Sequence, residues 1–387
     1  MKPNCNRNNP ARGGRQAGLT LVELMISVAI GSILMIGVIQ LFTGMRGAYT
    51  LNESMSRVQE NGRFAIEYLT SDLRMAGYMG CMSASQNLDF YAHALDEADD
   101  FLANFSQGLD GYEANGTGPG DDVTIDSLSP PTPDTAGAWS PALPGQLAGE
   151  VVLDSDVLVV RYMSPDNVNL VPPVTDGTQW HTDHAGDCDD DGNCPYPQNT
   201  LMMATDCAGR AVLFRRGNQG KSNNVQPGGP ALPQRYRNLG EEGEMARGIQ
   251  AAYFIGVPSS GIPTLMRQVI NDSSSADLTL EAVELVPGVE NMQVLYGVDT
   301  TGTRGASGHF SVDRYVTANE VTAIADWNSV RAVRISLLVR SEENLHDVDD
   351  PVRDFSLQRT NVSVDIQDEL DRRNRRTFST TIQLRNR

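Results

Sequence analysis

Residues 19–42 read LTLVELMISVAIGSILMIGVIQLF, a stretch whose only ionisable side chain is Glu23. As a helix rising 1.5 Å per residue, it is about 36 Å long, enough to cross a hydrocarbon core of about 30 Å with some tilt. The residues before it carry four positive charges and no acid: Lys2, Arg7, Arg12 and Arg15. This charge bias favours a cytoplasmic amino terminus, so we expect one membrane crossing with the chain beyond Phe42 outside the cytoplasm.

An ordinary secretory signal peptide fits this stretch poorly. Its apolar region has about 7–15 residues and is followed by a small-residue cleavage site. Here the small pair Ala17-Gly18 precedes the apolar run. Cleavage after Gly18 would therefore remove a basic leader, residues 1–18, and leave the membrane helix attached to the rest of the chain.

Glu23 is unusual inside such a run, because a charged carboxylate there costs on the order of 2.5–3.5 kcal/mol. After cleavage at Gly18, the new amino group of Leu19 would lie four positions before Glu23. In a stack of identical helices displaced by about one turn, that amino group can meet the Glu23 carboxylate of a neighbouring copy. The alternative is that Glu23 is protonated or reaches the membrane surface.

The segment QAGLTLVELMIS, residues 16–27, resembles the class III signal of type IV prepilins and pseudopilins. This resemblance implies that a membrane peptidase cuts after Gly18 and N-methylates Leu19, and that Glu23 supports subunit docking in a filament. It also implies an inner-membrane protein whose globular part lies in the periplasm. Leu19 departs from the pattern, because major pilins most often carry Phe there, and this departure favours a minor subunit.

A helical pattern continues beyond the membrane run. No proline interrupts residues 19–76, and Gly77 is a plausible end of the helix. The sequence predicts one helix of about 87 Å, with a membrane or filament-core half at 19–47 and an amphipathic continuation at 48–80. Its apolar or small positions recur at steps of three and four, and are Met55, Val58, Gly62, Ala65, Leu69, Leu73 and Ala76.

Short apolar segments separated by turn-forming residues follow, and we expect residues 81–387 to form an extracytoplasmic β-rich domain. Together with the long helix they predict an α+β fold, the helix packed against an antiparallel sheet. Segments 108–150, 164–199 and 216–247 are rich in turn formers and are interpreted as long surface loops. The predicted strands are 156–163, 200–205, 210–215, 250–256, 264–270, 281–286, 290–298, 329–340 and 376–385.

Four segments extend the resemblance: GYMGC (77–81), PGVENMQVLYGVDT (287–300), WNSVRAVRISLLVRS (327–341) and RRTFSTTIQLRN (375–386). They are similar to PilW-type minor pilins, which are related to the J-type pseudopilins of type II secretion. The resemblance covers about 15–82 and 280–387. It implies a pilin-like fold and a role in starting pilus assembly and in the pilus tip, in adhesion or twitching motility. The implied partners are other minor pilins, the major pilin, the prepilin peptidase and a PilY-type tip adhesin.

Two other classes of function stay open. The first is a J-type pseudopilin, which would carry the same leader and helix. The second is an anchored extracytoplasmic enzyme or binding domain. Against an enzyme, the sequence lacks the GxSxG, HExxH, GxxxxGK[ST] and strand-linked GxGxxG motifs. We therefore expect no catalytic residues.

Charge argues against a broad nucleic-acid surface, because 49 acidic and 30 basic side chains give a formal net charge of −19. One arginine cluster interrupts this acidity near the carboxyl terminus. It either contacts DNA or balances neighbouring carboxylates, and the overall charge favours the second interpretation. Its members are Arg372, Arg373, Arg375 and Arg376.

Five cysteines become four when the leader, which contains Cys5, is removed. An even number in the oxidising periplasm predicts two disulfides with three possible pairings. We favour Cys188 with Cys194, which closes a short loop, and Cys81 with Cys207, which ties the end of the helix to the sheet. Free thiols or a zinc site are the alternatives.

The segment GDCDDDGNCPYPQ contains half of a calcium loop. Asp187, Asp189 and Asp191 stand at positions 1, 3 and 5, before Gly192 at position 6, but position 12 is Gln198 instead of a bidentate Glu. A solvated acidic loop closed by its two cysteines is the alternative. A second candidate metal group is His181, Asp183 and His184, against simple exposure of these side chains. No other cofactor is expected.

Overall fold

The computed structural model describes residues 18, 20–83, 88–93, 95, 100–126, 136–172, 179–185, 188, 194–237, 239, 243–271, 278–300, 311–324, 327–344, 353–365 and 371–386. The chain divides into two compact units, one ending at Glu53 and one running from Ser54 to Arg387. The helices of the described residues are α1 (Leu21–Met75), α2 (Asp100–Ala103), α3 (Gln234–Arg237) and α4 (Ala318–Ile324).

The long helix α1 has 55 residues and ends where the sequence predicts. Gly77 has a φ of 72°, a left-handed conformation that ends helices and that glycine adopts without strain. The Gly77 amide then donates to the carbonyl oxygen of Arg161 at 3.0 Å. The chain thus leaves the helix directly into contact with the sheet.

Within the second unit, one face of α1 is buried. Six of the seven predicted stripe positions are buried, and Met55 is half-buried while its neighbour Ser54 is buried. Gly62 provides the closest approach, since a Cβ built there would lie 2.3 Å from the ring of Phe378. The helix therefore packs against the sheet with a glycine where a side chain cannot fit.

Most of the remaining described residues belong to strands, and these form two larger sheets and two smaller ones. The strands are β1 (Tyr78–Met79), β2 (Met82–Ser83), β3 (Asp89–Ala92), β4 (Leu109–Ala114), β5 (Asp122–Asp126), β6 (Trp139–Ser140), β7 (Val157–Met163), β8 (Val168–Val171), β9 (Trp180–Thr182), β10 (Leu201–Thr205), β11 (Arg210–Arg215), β12 (Asn224–Val225), β13 (Glu244–Gly256), β14 (Thr264–Asn271), β15 (Thr279–Pro287), β16 (Val289–Val298), β17 (Arg314–Val316), β18 (Val330–Arg340), β19 (Asp354–Leu357), β20 (Thr360–Asp365) and β21 (Arg375–Gln383).

The largest sheet has twelve strands and is organised around the long strand β13, which pairs with β7, β8, β10 and β14. A four-stranded antiparallel sheet has the order β17-β16-β18-β21. A three-stranded sheet, β19-β20-β5, and the hairpin β1-β2 complete the set. The main core lies between α1 and the two larger sheets, where Leu69 and Leu73 contact apolar side chains of both.

The α+β prediction is confirmed, and all nine predicted strands are present with ends shifted by a few residues. Two details differ. The strand pairs β3-β11 and β5-β20 are parallel, so the sheets are mixed. The three segments interpreted as loops contain strands β4 to β6, β8 with β9, and β12 with the start of β13, because these strands are too short or too interrupted for an alternating pattern to be visible.

A carboxylate on α1 fixes the helix to the large sheet. Asp72 accepts hydrogen bonds from the hydroxyls of Tyr162 (3.0 Å) and Tyr253 (2.7 Å), and its Oδ2 lies 2.9 Å from Nη2 of Arg267. Although burial lowers the pKa of Arg267, the carboxylate and the tyrosines outweigh that effect and raise it. Three strands, β7, β13 and β14, thus bind one side chain of the helix.

We expect Asp72→Asn to destabilise the chain by about 2 kcal/mol, because the ion pair is lost and an amide N–H faces the guanidinium. Chemical unfolding of the full chain in detergent, followed by tryptophan fluorescence, measures this change. The matched control is Glu67→Gln, which alters an exposed acid on the same helix. Equal unfolding midpoints for the two variants would contradict the role of Asp72.

Candidate functional site

The start of α1 carries the residues that the sequence singles out. Gly18 is exposed and has no atom within 4 Å of a Cβ built on it. Leu19 lies outside the described residues. The Thr20 backbone N and Oγ1 both donate to Glu23 Oε2 at 3.0 Å, and the Glu23 amide donates back to Thr20 Oγ1 at 3.3 Å. Gly18 therefore precedes the helix, which begins at a reciprocal cap.

This Thr20–Glu23 arrangement is a capping box, and sequence reasoning missed it. The pattern that reveals it is a Thr followed three residues later by a Glu, directly before an apolar run. The box uses Oε2 of Glu23, while Oε1 has no hydrogen bond or ion pair in the described part of the chain. One carboxylate oxygen thus stays available to a group from outside the chain.

Beyond the cap, the first unit exposes a continuous apolar surface. Its large apolar side chains are 52–74% exposed, from Leu21 to Tyr49. The hydroxyls within the run donate to carbonyls of their own helix, Ser27 to Glu23 at 2.7 Å and Ser32 to Ala29 at 2.8 Å. Because the polar groups satisfy each other locally, this surface is suited to lipid or to other helices.

By length and composition, α1 is the one helix in the described residues that could span a membrane. Its most apolar window is not buried against the rest of the chain. A helix that is merely the core of a soluble protein would be buried. The exposure of the apolar window therefore agrees with the membrane crossing expected from the sequence.

The structure contains two disulfides, Cys81–Cys207 and Cys188–Cys194, the pairs favoured from the sequence. The first joins the segment after α1 to the end of β10, across 126 positions of the chain. Closing so long a loop restricts the unfolded chain strongly. Cys207 itself has a φ of 57°.

The candidate calcium ligands Asp187, Asp189 and Asp191 lie outside the described residues. Gln198, the fourth, donates through Nε2 to the carbonyl oxygen of Gly217 at 2.8 Å. In the other candidate group, His184 Nδ1 lies 2.6 Å from Asp183 Oδ1, and Asp183 also accepts from Asn169. The described residues contain no group of three His, Cys, Asp or Glu side chains that is arranged to hold a metal.

Arg216 is a structural residue that sequence reasoning missed. Its side chain is fully buried, and its guanidinium donates to the carbonyls of Tyr196 (2.6 Å), Gln219 (3.1 Å) and Ser222 (2.5 Å). Burial lowers its pKa. Because its guanidinium binds carbonyl oxygens of both, Arg216 joins the segment after Cys194 to the turn that follows β11.

The carboxy-terminal arginine cluster is partly explained by buried ion pairs. Glu290 bonds Arg340 at 2.9 Å and Arg375 at 2.7 Å, and Asp371 bonds Arg375 at 2.6 Å and Arg373 at 3.3 Å. Burial, together with the positive charges of Arg373 and Arg375, lowers the pKa of Arg340, even though Glu290 opposes this effect. Arg373 and Arg375 therefore balance the charge of buried carboxylates, as the second interpretation of the cluster predicts.

A second buried charge group lies between β4 and β16. Asp156 accepts from the amides of Ala114 (2.9 Å) and Val294 (2.8 Å) and is fully buried. Glu113 is nearby and 5% exposed, and its Oε2 has no hydrogen-bond partner among the described residues. Burial and the charge of Asp156 together raise the pKa of Glu113 to about 9. Burial also raises the pKa of Asp156, to about 7, but its two backbone hydrogen bonds oppose this effect, so Asp156 is the first of the pair to ionise as the pH rises.

Two family models match the chain. Residues 252–386 match the family described as type IV pilus-assembly protein W, and residues 13–39 match the prokaryotic N-terminal methylation motif. No curated protein and no solved structure gave a significant match. The first match begins earlier than the 280–387 resemblance, inside β13, and extends through β21. The GYMGC segment, 77–81, lies outside both.

A long amino-terminal helix packed on β-sheets makes this chain a pilin-like α+β protein. Within that class, the two matches support a PilW-type type IV pilin. The methylation motif covers the cap at Thr20 and Glu23, and with the exposed apolar helix it fits a single-pass inner-membrane pilin with a periplasmic domain. Pilus-assembly families of this kind are generally non-enzymatic.

We expect Glu113→Gln to become progressively more stable than the natural chain as the pH rises from 5 to 8. Because the pKa of Glu113 is raised on folding, its contribution is fully present below the ordinary carboxyl pKa of about 4.3 and is lost at higher pH. The difference in unfolding free energy should grow by up to about 1.4 kcal/mol per pH unit.

Denaturant titrations at several pH values measure this difference. Glu150→Gln, which alters an exposed acid, is the matched control and should track the natural chain at every pH. A Glu113→Gln effect that is the same at pH 5 and pH 8 would contradict the raised pKa.

Proposed function

We propose that this chain is a minor pilin of a type IV pilus. It is cut after Gly18, N-methylated on Leu19 and assembled through the first half of α1. The observation that carries the proposal is the arrangement at the head of this helix, where an exposed glycine precedes a capped helix with an unburied apolar surface. Residues 1–18 are then the leader, 19–47 the membrane or filament-core segment, 48–80 the amphipathic continuation and 81–387 the periplasmic domain.

The proposed docking contact joins Glu23 of one subunit to the amino group of Leu19 in a neighbour. Support comes from Glu23 Oε1, which has no hydrogen bond or ion pair within the described part of the chain. In a low-dielectric helix bundle, a carboxylate that faces a terminal amine avoids the cost of an unpaired charge. Through this contact the subunit joins other minor pilins and the major pilin.

The size of the globular part supports the proposed position at the pilus tip, in the complex that starts assembly. The second unit, from Ser54 to Arg387, is bulky for a subunit repeated every few ångströms along a thin fibre. At the tip this crowding is absent, and a PilY-type adhesin is the proposed partner there. We propose no catalytic role and no required cofactor. A J-type pseudopilin would share the same helix, and loss of secretion instead of motility on deletion would identify it.

Mass spectrometry of the amino-terminal peptide tests the proposal directly. Sheared surface filaments and membranes are collected from the same cells. We expect N-methylated Leu19 as the first residue in both fractions. An intact Met1, or cleavage beyond Phe42, would overturn processing at Gly18. Complete absence from sheared material would instead support an anchored domain.

Two variants separate docking from helix capping. Glu23→Gln keeps a side chain that can still cap the helix but removes the charge, whereas Thr20→Ala removes the cap and keeps the charge. We expect Glu23→Gln to lower recovery in sheared filaments at least tenfold with normal membrane insertion, and Thr20→Ala to lower it far less. The control Glu60→Gln alters an exposed acid later in α1. The reverse order of the first two variants would show that the cap, and not the charge, is what matters.

A further inference from the structure

The four-stranded sheet has one apolar face and one mainly polar face. Val333, Ile335 and Leu337 of β18 belong to the core that α1 covers. Arg334 and Ser336 alternate with them and therefore lie on the opposite face. On the neighbouring strand β21, Thr381 pairs with Arg334 and Ser379 pairs with Ser336. This polar face is thus turned away from the part of α1 that packs on the sheet.

Part of the polar face is covered by the three-stranded sheet. Leu338 packs there against Leu357, Val362 and Val123. Beside this contact the three-stranded sheet no longer covers the polar face, and a cavity of about 270 Å³ lies between the two sheets. The residues that line it are all polar: Arg334, Ser336, Gln358, Ser379, Thr380 and Thr381.

The hairpin turn at the rim of the cavity is strained. It joins β19 to β20 through two residues, Gln358 and Arg359, whose φ angles are 53° and 75°. Such turns favour Asn and Gly, because other side chains adopt positive φ at a cost. The strained backbone holds the Gln358 amide over the cavity, where Nε2 donates to Ser336 Oγ at 2.8 Å. Ser336 also bonds Ser379 across the strands.

Arg334 supplies the positive charge of the cavity. Its guanidinium carbon lies 3.8 Å from the ring centroid of Tyr315, and its Nε donates to Thr381 Oγ1 at 3.3 Å. No carboxylate forms an ion pair with Arg334 in the described part of the chain. Arg334 is thus held in place without a carboxylate partner in the described residues, in a protein of net charge −19. A guanidinium in this position is suited to bind an anion from outside the chain.

We propose that this cavity binds an acidic sugar ring, with the carboxylate on Arg334 and the ring hydroxyls on the serine, threonine and glutamine side chains. Hydroxyl groups can both donate and accept, which matches the mixed hydrogen bonding of a sugar. The volume is below that of sites for drug-sized ligands, so it holds a single ring. The site is independent of the pilus role proposed above.

Equilibrium dialysis of the full chain in detergent, with radiolabelled glucuronate as the probe, tests the site. Glucose, which lacks the carboxylate, and acetate, which lacks the hydroxyls, are the competitors. We expect each to compete at least tenfold more weakly than unlabelled glucuronate. A glucuronate oligomer that competes as well as the monomer assigns the site to the end of a glycan chain, and one that does not compete assigns it to the free sugar.

Arg334→Gln should weaken glucuronate binding at least tenfold, and Ser379→Val should weaken it as well. Arg376→Gln, which alters an exposed arginine of β21 outside the cavity, should bind as the natural chain does. Absence of glucuronate binding overturns the proposal, as does binding that survives Arg334→Gln. Acetate competing as well as glucuronate overturns the sugar assignment and favours a carboxylate of another kind, such as one from a partner protein. Unfolding midpoints of all variants show whether a loss reflects binding or folding.

Discussion

The bond between Asp72 and its three donors is the interaction on which the rest of the globular part depends. It fixes α1 on the large sheet both along the helix axis and around it, because Tyr162, Tyr253 and Arg267 come from three different strands. A displacement of one helical turn would move the carboxylate by about 5.4 Å and break all of these bonds. The apolar stripe alone is less specific, since similar side chains recur along it.

Two further contacts depend on this position of α1 on the sheet. Gly62 meets the ring of Phe378 only if the helix stays where Asp72 holds it. The end of α1 then lies where the Gly77 amide reaches Arg161, and where Cys81 reaches Cys207. The helix is thus tied to the domain by close packing, by an ion pair and by a covalent bond, all within its last turns or directly after them.

Patterns that are local in sequence were predictable. A long apolar run, steps of three and four, and a terminal glycine are each visible in one segment, and so α1 and nine of the strands follow from the sequence. Short strands such as β6 and β12 were missed because each has only two residues, too few to show an alternating pattern. The Thr20–Glu23 cap also has a local pattern, a Thr followed three residues later by a Glu.

Apart from the Cys81–Cys207 disulfide, contacts that join distant segments were not predicted from the sequence. Nothing near Arg216 shows that carbonyls of two loops will surround it, and Glu113 looks like any other acid among 49. The cavity at Arg334 is a still clearer case. Its lining comes from two strands, β18 and β21, and from a turn, and their pairing is set by the whole fold. Single residues such as Ser336 or Ser379 have no pattern of their own.

The two halves of α1 satisfy their polar groups in different ways, and this difference explains how one helix serves two environments. In the first half the hydroxyls of Ser27, Ser32 and Thr43 bond to carbonyls three or four residues earlier, so these hydroxyls are not offered to the surroundings. In the second half Asp72 and Asn61 reach out to strands, Asn61 through a bond of 3.1 Å to Pro287. Glu23 is the exception in the first half, because its cap engages only one carboxylate oxygen. Within residues 19–42, where Glu23 is the only ionisable side chain, the remaining oxygen is the one point where a neighbouring helix can be recognised by charge.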